Sequence, residues 1–379
     1  MPGSIRSNSI DVKLAVRRAP VGYDARMPAR ARSKTTTAKL DPPADPAPAA
    51  APVAPAERPA LPDGRILGAH LALGPGMVKA VERAHAIGLD ALQVFADNPT
   101  AWRRRLEPPK ELPAFQRRLA ELSIAPVAIH ASYLVNLAGP DERFHAASIE
   151  VLANELRVAP GFRARFVNVH VGSHLGTGVE VGTARLADGL CRALAEVDDG
   201  PDAAKIVLEN SAGGGFGLGA DVVELAGIAE AAAARGIPDA RLGFCLDAAH
   251  AWGAGVDLAR PDETDAFLAD FDARIGLGRL VMVHLNDSKA ERGSHLDRHE
   301  HVGAGQIGAA GLGHLIRHPS LEHATYYIET PGMDEGYDAV NMARARDLLA
   351  GRPLADLPPE AMELRGSRAR TAPPEDQQA

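Results

Sequence analysis

Aromatic residues make up only 4% of the 379-residue chain. So thin a supply argues against a nucleic-acid binder built on stacking platforms, such as an RRM. Cysteine is scarcer still: Cys191 and Cys245 are the whole complement. Two cysteines make neither a disulfide scaffold nor a thiolate zinc site, and they suit a reducing, cytoplasmic setting. No apolar run reaches the length of about 18 residues that a membrane-spanning helix needs, so no membrane partner is expected. No clean Gly-x-Gly-x-x-Gly follows the first apolar run, which weakens a dinucleotide-binding reading.

What is present is ordinary in bulk, with 46% hydrophobic and 24% charged residues, the proportions of a globular protein. The net charge of −8 hides an asymmetry. Residues 1–40 carry nine Lys/Arg and two Asp, a net of +7, so the remainder stands at −15. An acidic body does not grip DNA by bulk charge, but it can hold several divalent cations, each adding +2 to the face that binds it. Fourteen histidines, many beside carboxylates, are the more telling count.

The composition divides the chain in three. Residues 1–63 are read as a disordered, basic, Pro/Ala-rich extension: between Asp41 and Pro62, 16 of 22 residues are Pro or Ala, which builds no core. Residues 351–379 are read as a flexible tail. Between them, 64–350 alternates short apolar runs with Ala-rich segments of helical period. The runs are Ile66–His70, Ala91–Phe95, Val127–His130, Phe166–His170, Ile206–Glu209, Leu242–Asp247, Leu280–His284 and Tyr326–Glu329. The helical segments include Met77–Ile87, Leu112–Leu122, Ala184–Val197 and Val222–Arg235. Near-continuous apolar strands belong to a parallel sheet covered on both faces. Eight βα units in this length predict a TIM (β/α)8 barrel.

Polar residues fall where such a barrel would use them. Six runs end on His130, His170, Glu209, Asp247, His284 and Glu329, and the first ends on His70. At strand ends these converge on the C-terminal mouth. Grouped carboxylates repel and need cationic partners. Beyond two of the strands lie His250, in Asp-Ala-Ala-His, and the pair Asp297 and His299, whose alternation puts both on one side of an extended segment. His/carboxylate sets without thiolate suit zinc, manganese or iron, with zinc usual in hydrolases. Two or three metals are expected.

The strings Ile129-His-Ala-Ser-Tyr-Leu-Val-Asn-Leu137, Val169-His-Val-Gly-Ser-His-Leu175, Leu208-Glu-Asn-Ser-Ala-Gly213, Cys245-Leu-Asp-Ala-Ala-His250, His284-Leu-Asn-Asp-Ser-Lys289, Asp297-Arg-His299 with Gly303-Ala-Gly-Gln-Ile-Gly308, and Ile328-Glu-Thr330 resemble the endonuclease IV family of apurinic/apyrimidinic (AP) endonucleases. The resemblance implies three zinc ions per chain, with manganese an alternative at one of them. One would take His130, His170 and Glu209. A second would share Glu209 and add Asp247, His284 and Glu329. The third would take His250, Asp297 and His299. It also implies hydrolysis of the phosphodiester 5′ to an abasic site in double-stranded DNA, by a metal-bridging hydroxide, leaving 3′-OH and 5′-deoxyribose phosphate. Glu209 and Glu329 are the implied catalytic carboxylates, and a monomer is expected. DNA contacts are expected from Tyr133, Asn98, Arg103 and Arg298. The chain departs from the family at Thr100, where members often carry Arg; Arg103, Arg104 and Arg105 follow at once. Two other readings compete: a metal-dependent sugar or sugar-phosphate isomerase or epimerase on a related barrel, and a non-catalytic damage-binding barrel.

Overall fold

The computed structural model describes residues 64–333 and 335–363; the proposed 1–63 extension and residues 364–379 lie outside the described residues. The elements run β1 (Ile66–His70), α1 (Met77–Ala86), β2 (Ala91–Val94), α2 (Leu112–Glu121), β3 (Val127–His130), α3 (Glu142–Val158), β4 (Ala164–His170), α4 (Val179–Ala195), β5 (Lys205–Glu209), α5 (Val222–Ala234), β6 (Leu242–Asp247), α6 (Ala248–Ala254), α7 (Pro261–Arg274) and β7 (Leu280–His284). Then come the two-residue strands β8 (Asp287–Ser288) and β9 (His299–Glu300), α8 (Gly308–Arg317), β10 (Thr325–Ile328), α9 (Tyr337–Leu349) and α10 (Pro359–Met362). Strands β1 to β7 and β10 pair in parallel and close on themselves, β10 joining β7 to β1. The expected TIM barrel is present, with every barrel strand within two residues of its expected run.

Two layers inside the barrel explain the mouth. The lower is apolar and small: Ala91, Ala128, Phe166, Val207, Cys245, Met282 and Tyr327 form a cluster of their own, separate from the main core between sheet and helices. β1 contributes Gly68, where a Cβ would come within 2.8 Å of the Tyr327 ring; the missing side chain makes room for that ring. Because successive side chains alternate faces, the next inward residue of each strand lies two positions on. Those eight residues are His70, Gln93, His130, Asn168, Glu209, Asp247, His284 and Glu329, all polar. An apolar floor thus carries one continuous polar layer, assembled by strand period from eight separate segments.

Two boundaries differ from expectation. Helix α4 begins at Val179, ahead of the expected Ala184, because Gly182 lets its first turn lie against His174, whose Cβ would be 2.6 Å from an added Cβ. The C-terminal segment, expected to be unpacked from 351, is held down through α10. Leu354 packs on the main core, Ala361 is buried, and His301 donates from Nε2 to the Ala361 carbonyl at 3.0 Å. The Pro-rich composition hid single anchoring side chains spaced too far apart to read as an element.

Candidate metal centre

The strand ends supply carboxylates one oxygen at a time. Asp247 closes β6 and caps α6: one oxygen accepts from the His250 amide at 2.8 Å, a standard N-cap. The same four-residue string therefore sets the Asp and the His together. Its other oxygen accepts from Asn286 Nδ2 at 2.7 Å and lies 3.6 Å from His299 Nε2 and 3.7 Å from His284 Nδ1. Glu209 is held likewise by Asn168 Nδ2, at 2.5 Å, and Glu329 by Gln93 Nε2, at 2.6 Å. Each buried carboxylate so has a fixed amide donor, which orients it before any cation arrives.

The histidines are oriented with equal care. His130 Nδ1 faces the Ala131 carbonyl at 2.8 Å, His250 Nδ1 the Asn210 carbonyl at 2.9 Å, and His299 Nδ1 the Glu329 carbonyl at 2.8 Å. His284 Nε2 faces Gln93 Oε1 at 3.1 Å. A carbonyl oxygen only accepts, so the facing nitrogen carries the proton and the other ring nitrogen presents its lone pair. Those lone pairs point at carboxylates. His130 Nε2 is 3.7 Å and His170 Nε2 3.6 Å from Glu209 Oε2. His284 Nδ1 is 3.3 Å from Glu209 Oε1 and 3.4 Å from Glu329 Oε2. His250 Nε2 and His299 Nε2 stand 3.3 and 3.1 Å from the two oxygens of Asp297. His284 Nδ1 and His299 Nε2 are buried without a hydrogen-bond partner. Lone pairs turned toward anions in a buried layer are repulsive unless a cation lies between them.

The same anions favour protonation of the imidazoles that face them. Burial opposes charge on His284 and His250, yet Cys245 with Glu329 and Glu209 around the first, and Asp247, Asp297 and Glu209 around the second, outweigh it and hold both pKa values well above the ordinary imidazole range. His299 is raised to about 9 against the same burial penalty, by Asp247 and Asp297. Glu209 and Glu329 are held low although burial works against them, by His284 first among the surrounding imidazoles. His130 goes the other way, down to about 4, chiefly from burial.

Three groups of donor atoms converge closely enough to share an ion: His130, His170 and Glu209; Glu209, Asp247, His284 and Glu329; and Asp247, His250 and His299, with Asp297 against both imidazoles of the last. All nine expected ligands therefore meet at one mouth. The donor set and its orphaned nitrogens fit divalent metal. Gln93, Asn168, Asn210 and Asn286 were not singled out from sequence. Their signal was a polar residue inside or beside an apolar strand run, which a buried position tolerates only with partners. His70 joins through Nδ1, 3.3 Å from Glu329 Oε1. His174 does not: its Nδ1 accepts from the Gly176 and Gly178 amides and shapes the turn before α4.

Around the mouth, Tyr133 is 59% exposed and leans edge-on to Phe95, with ring centroids 5.2 Å apart. It borders two open lobes, of about 390 and 360 Å³, that share Asp297. Arg298 and Lys289 line the first lobe; the second reaches Asn210 and Gly214. A further cavity, about 610 Å³, lies between the loops after β1 and β2 and shares Phe95 with the first lobe. In the β2 loop, Asn98 Oδ1 accepts from both the amide and the hydroxyl of Thr100, so Asn98 closes its own turn and Thr100 folds back on it. Arg104 turns inward to Glu155 at 3.3 Å and to the Asn98 carbonyl at 3.1 Å. Arg103 stays exposed.

The description "Xylose isomerase-like TIM barrel" matches residues 81–351. A relative from Halothermothrix orenii named "Probable endonuclease 4" is 36% identical, covering 73% of this chain and 99% of its own. Another of that name from Chloroflexus aggregans is 39% identical over 74% of this chain and 97% of its own. The crystal structure of endonuclease IV from Thermus thermophilus superposes with a TM-score of 0.65 at 36% identity, covering 76% of this chain and 99% of that one. With nine metal-ligand types converging on the mouth of such a barrel, the chain belongs to the endonuclease IV family.

Proposed function

We propose that the chain is a metal-dependent AP endonuclease that hydrolyses the DNA phosphodiester 5′ to an abasic site, leaving 3′-OH and 5′-deoxyribose phosphate, as a cytoplasmic monomer. The observation that carries this reading is the set of imidazole lone pairs locked toward buried carboxylates by their carbonyl and amide partners. The three donor groups would hold three zinc ions, with manganese an alternative at one. Zinc bound there supplies Lewis acidity toward phosphate oxygens and an acidified water at neutral pH.

The chain's own residues supply position and proton handling. Glu209 sits between the first two donor groups. Asn168 grips one of its oxygens, and the other faces His250 and His284. That leaves it placed to orient a nucleophilic water and share its proton. Glu329 is steadied by Gln93 and His70 and acts mainly as a ligand. The opened duplex is met by the rim. Tyr133, Leu106, Leu175, Phe216 and Leu296 are exposed, each on a different loop, and isolated apolar side chains at such positions can enter a stack that lacks a base. Arg103, Arg298 and the edge of Asn98 are assigned to the backbone phosphates, which position without reading sequence.

The test is a duplex carrying one synthetic abasic site. The expected result is a single nick 5′ to the site, abolished by chelator and restored by zinc. Turnover of a ketose or aldose without nicking would move the assignment to an isomerase. Tight binding without cleavage in zinc-loaded protein would move it to a passive binder.

A further inference from the structure

A second constellation lies on the outer helices, on the seam between α7 and α8. Asp265 belongs to α7, His314 to the last turn of α8, and His318 follows that helix directly. The spacing of four puts both imidazoles over one helical face. Both Nε2 atoms converge on the same oxygen, Asp265 Oδ1, at 2.5 Å from His314 and 3.4 Å from His318. The two rings stand nearly perpendicular with centroids 5.7 Å apart, and the donor atoms all lie within 4.8 Å of one another. Among the described residues, this group shares no member with the donor groups of the mouth.

We propose that Asp265, His314 and His318 form a peripheral divalent-cation site of the zinc class, clasping α7 to α8. Two imidazoles and one carboxylate without thiolate are a usual zinc donor set, with remaining positions open to water. Half-burial leaves that water access: the His314 and His318 side chains are 28% and 14% exposed and Asp265 is 55% exposed. Ligation through His318 Nε2 places the ring proton on Nδ1 and gives up the long 3.3 Å contact from the Ser320 amide. That amide is exposed and passes to water at little cost.

The experiment counts metal. Full-length wild type, the double variant H314A/H318A and Asp265→Asn are dialysed to equilibrium against micromolar free zinc near neutral pH, and zinc per chain is measured. The double variant is expected to hold one zinc fewer than wild type, with its fold by circular dichroism and its abasic-site nicking unchanged. Asp265→Asn keeps a hydrogen-bonding oxygen but loses the charge, and is expected to bind the peripheral ion at least about tenfold more weakly. Equal zinc counts in all three proteins would overturn the proposal and leave Asp265 as a hydrogen-bond acceptor for two histidines. Because none of the three belongs to the donor groups of the mouth, that outcome leaves the nuclease reading untouched, and loss of nicking in the other variants of the mouth leaves this one untouched.

Discussion

Inside the barrel, eight polar side chains arrive by the same device: the two-residue pleat that lifts His70, Gln93, His130, Asn168, Glu209, Asp247, His284 and Glu329 one step above the apolar floor. Above it, each loop delivers its side chains by a private arrangement. Asn98 bends its own turn around Thr100, Arg104 is drawn inward by Glu155, and Arg298 is tied to the neighbouring carbonyl of Asp297. The layer is over-determined, since eight paired strands fix it at once. The rim is set locally, one hydrogen bond at a time. Groups that need a fixed geometry are served by the first arrangement, and groups that need to adapt are served by the second.

The layer is tested hardest at Glu209, the carboxylate shared by two donor groups. Glu209→Gln keeps the volume and removes the charge. Nicking is expected to fall by at least about 10³-fold, several kcal/mol of lost charge stabilisation, with an unchanged circular dichroism spectrum. Activity within about tenfold of wild type would break the division between layer and rim.

Glu155 is a buried anchor behind the rim, paired with Arg104. Burial pushes the Glu155 carboxyl up to about 7, with Arg104 pulling the other way and Asp97 adding to the rise. A raised pKa means the folded chain holds this proton more tightly than the unfolded one. Its contribution to stability is therefore complete below the ordinary carboxylate pKa and is lost as pH climbs through about 7. Glu155→Gln removes the dependence. The stability of wild type relative to this variant is expected to decline by up to about 3 kcal/mol between about pH 4.5 and 7.5, measured by denaturant unfolding. The histidines of the mouth titrate in both proteins and cancel in the difference. A flat difference would show that Arg104 keeps Glu155 ionised throughout.

How far the sequence spoke follows the same line. Apolar runs ending in His, Asp or Glu announced the barrel, its mouth and six of the nine donor residues that meet there, because strand period is regular and each run carried its own ending; His250, Asp297 and His299 were legible only from the short strings beyond the strands. Gln93 and Asn168 passed unnoticed inside apolar runs: an amide looks like an isolated blemish until its partner, Glu329 or Glu209, is brought from more than 40 residues away. The inward turn of Arg104 was equally hidden. Three consecutive arginines read as one basic patch, and only the buried carboxylate of Glu155, supplied by α3, separates the middle one from its neighbours. Asn168→Leu tests whether the amides matter as positioning groups. Zinc affinity is expected to fall about 10- to 100-fold, the usual cost of losing a partner behind a ligand, as read by competition with a chromophoric chelator. The salt dependence of DNA binding should stay as in wild type.

That last contrast is sharpened by the rim. Arg298 is exposed, and its guanidinium bonds a backbone oxygen beside it, so its charge is free to meet a phosphate; Arg103 is exposed on the loop after β2. A phosphate contact releases counterions, so removing one lowers the slope of log affinity against log salt by about one. Arg298→Ala and Arg103→Ala are each expected to weaken binding of abasic duplex a few-fold at moderate salt and to flatten that slope by about one, with zinc content unchanged. Asn168→Leu should give the mirror image, weaker zinc and an intact slope. If Arg298→Ala instead loosened zinc, through Asp297 beside it, rim and layer would be one mechanical unit, and the independence argued from their separate hydrogen bonds would fail.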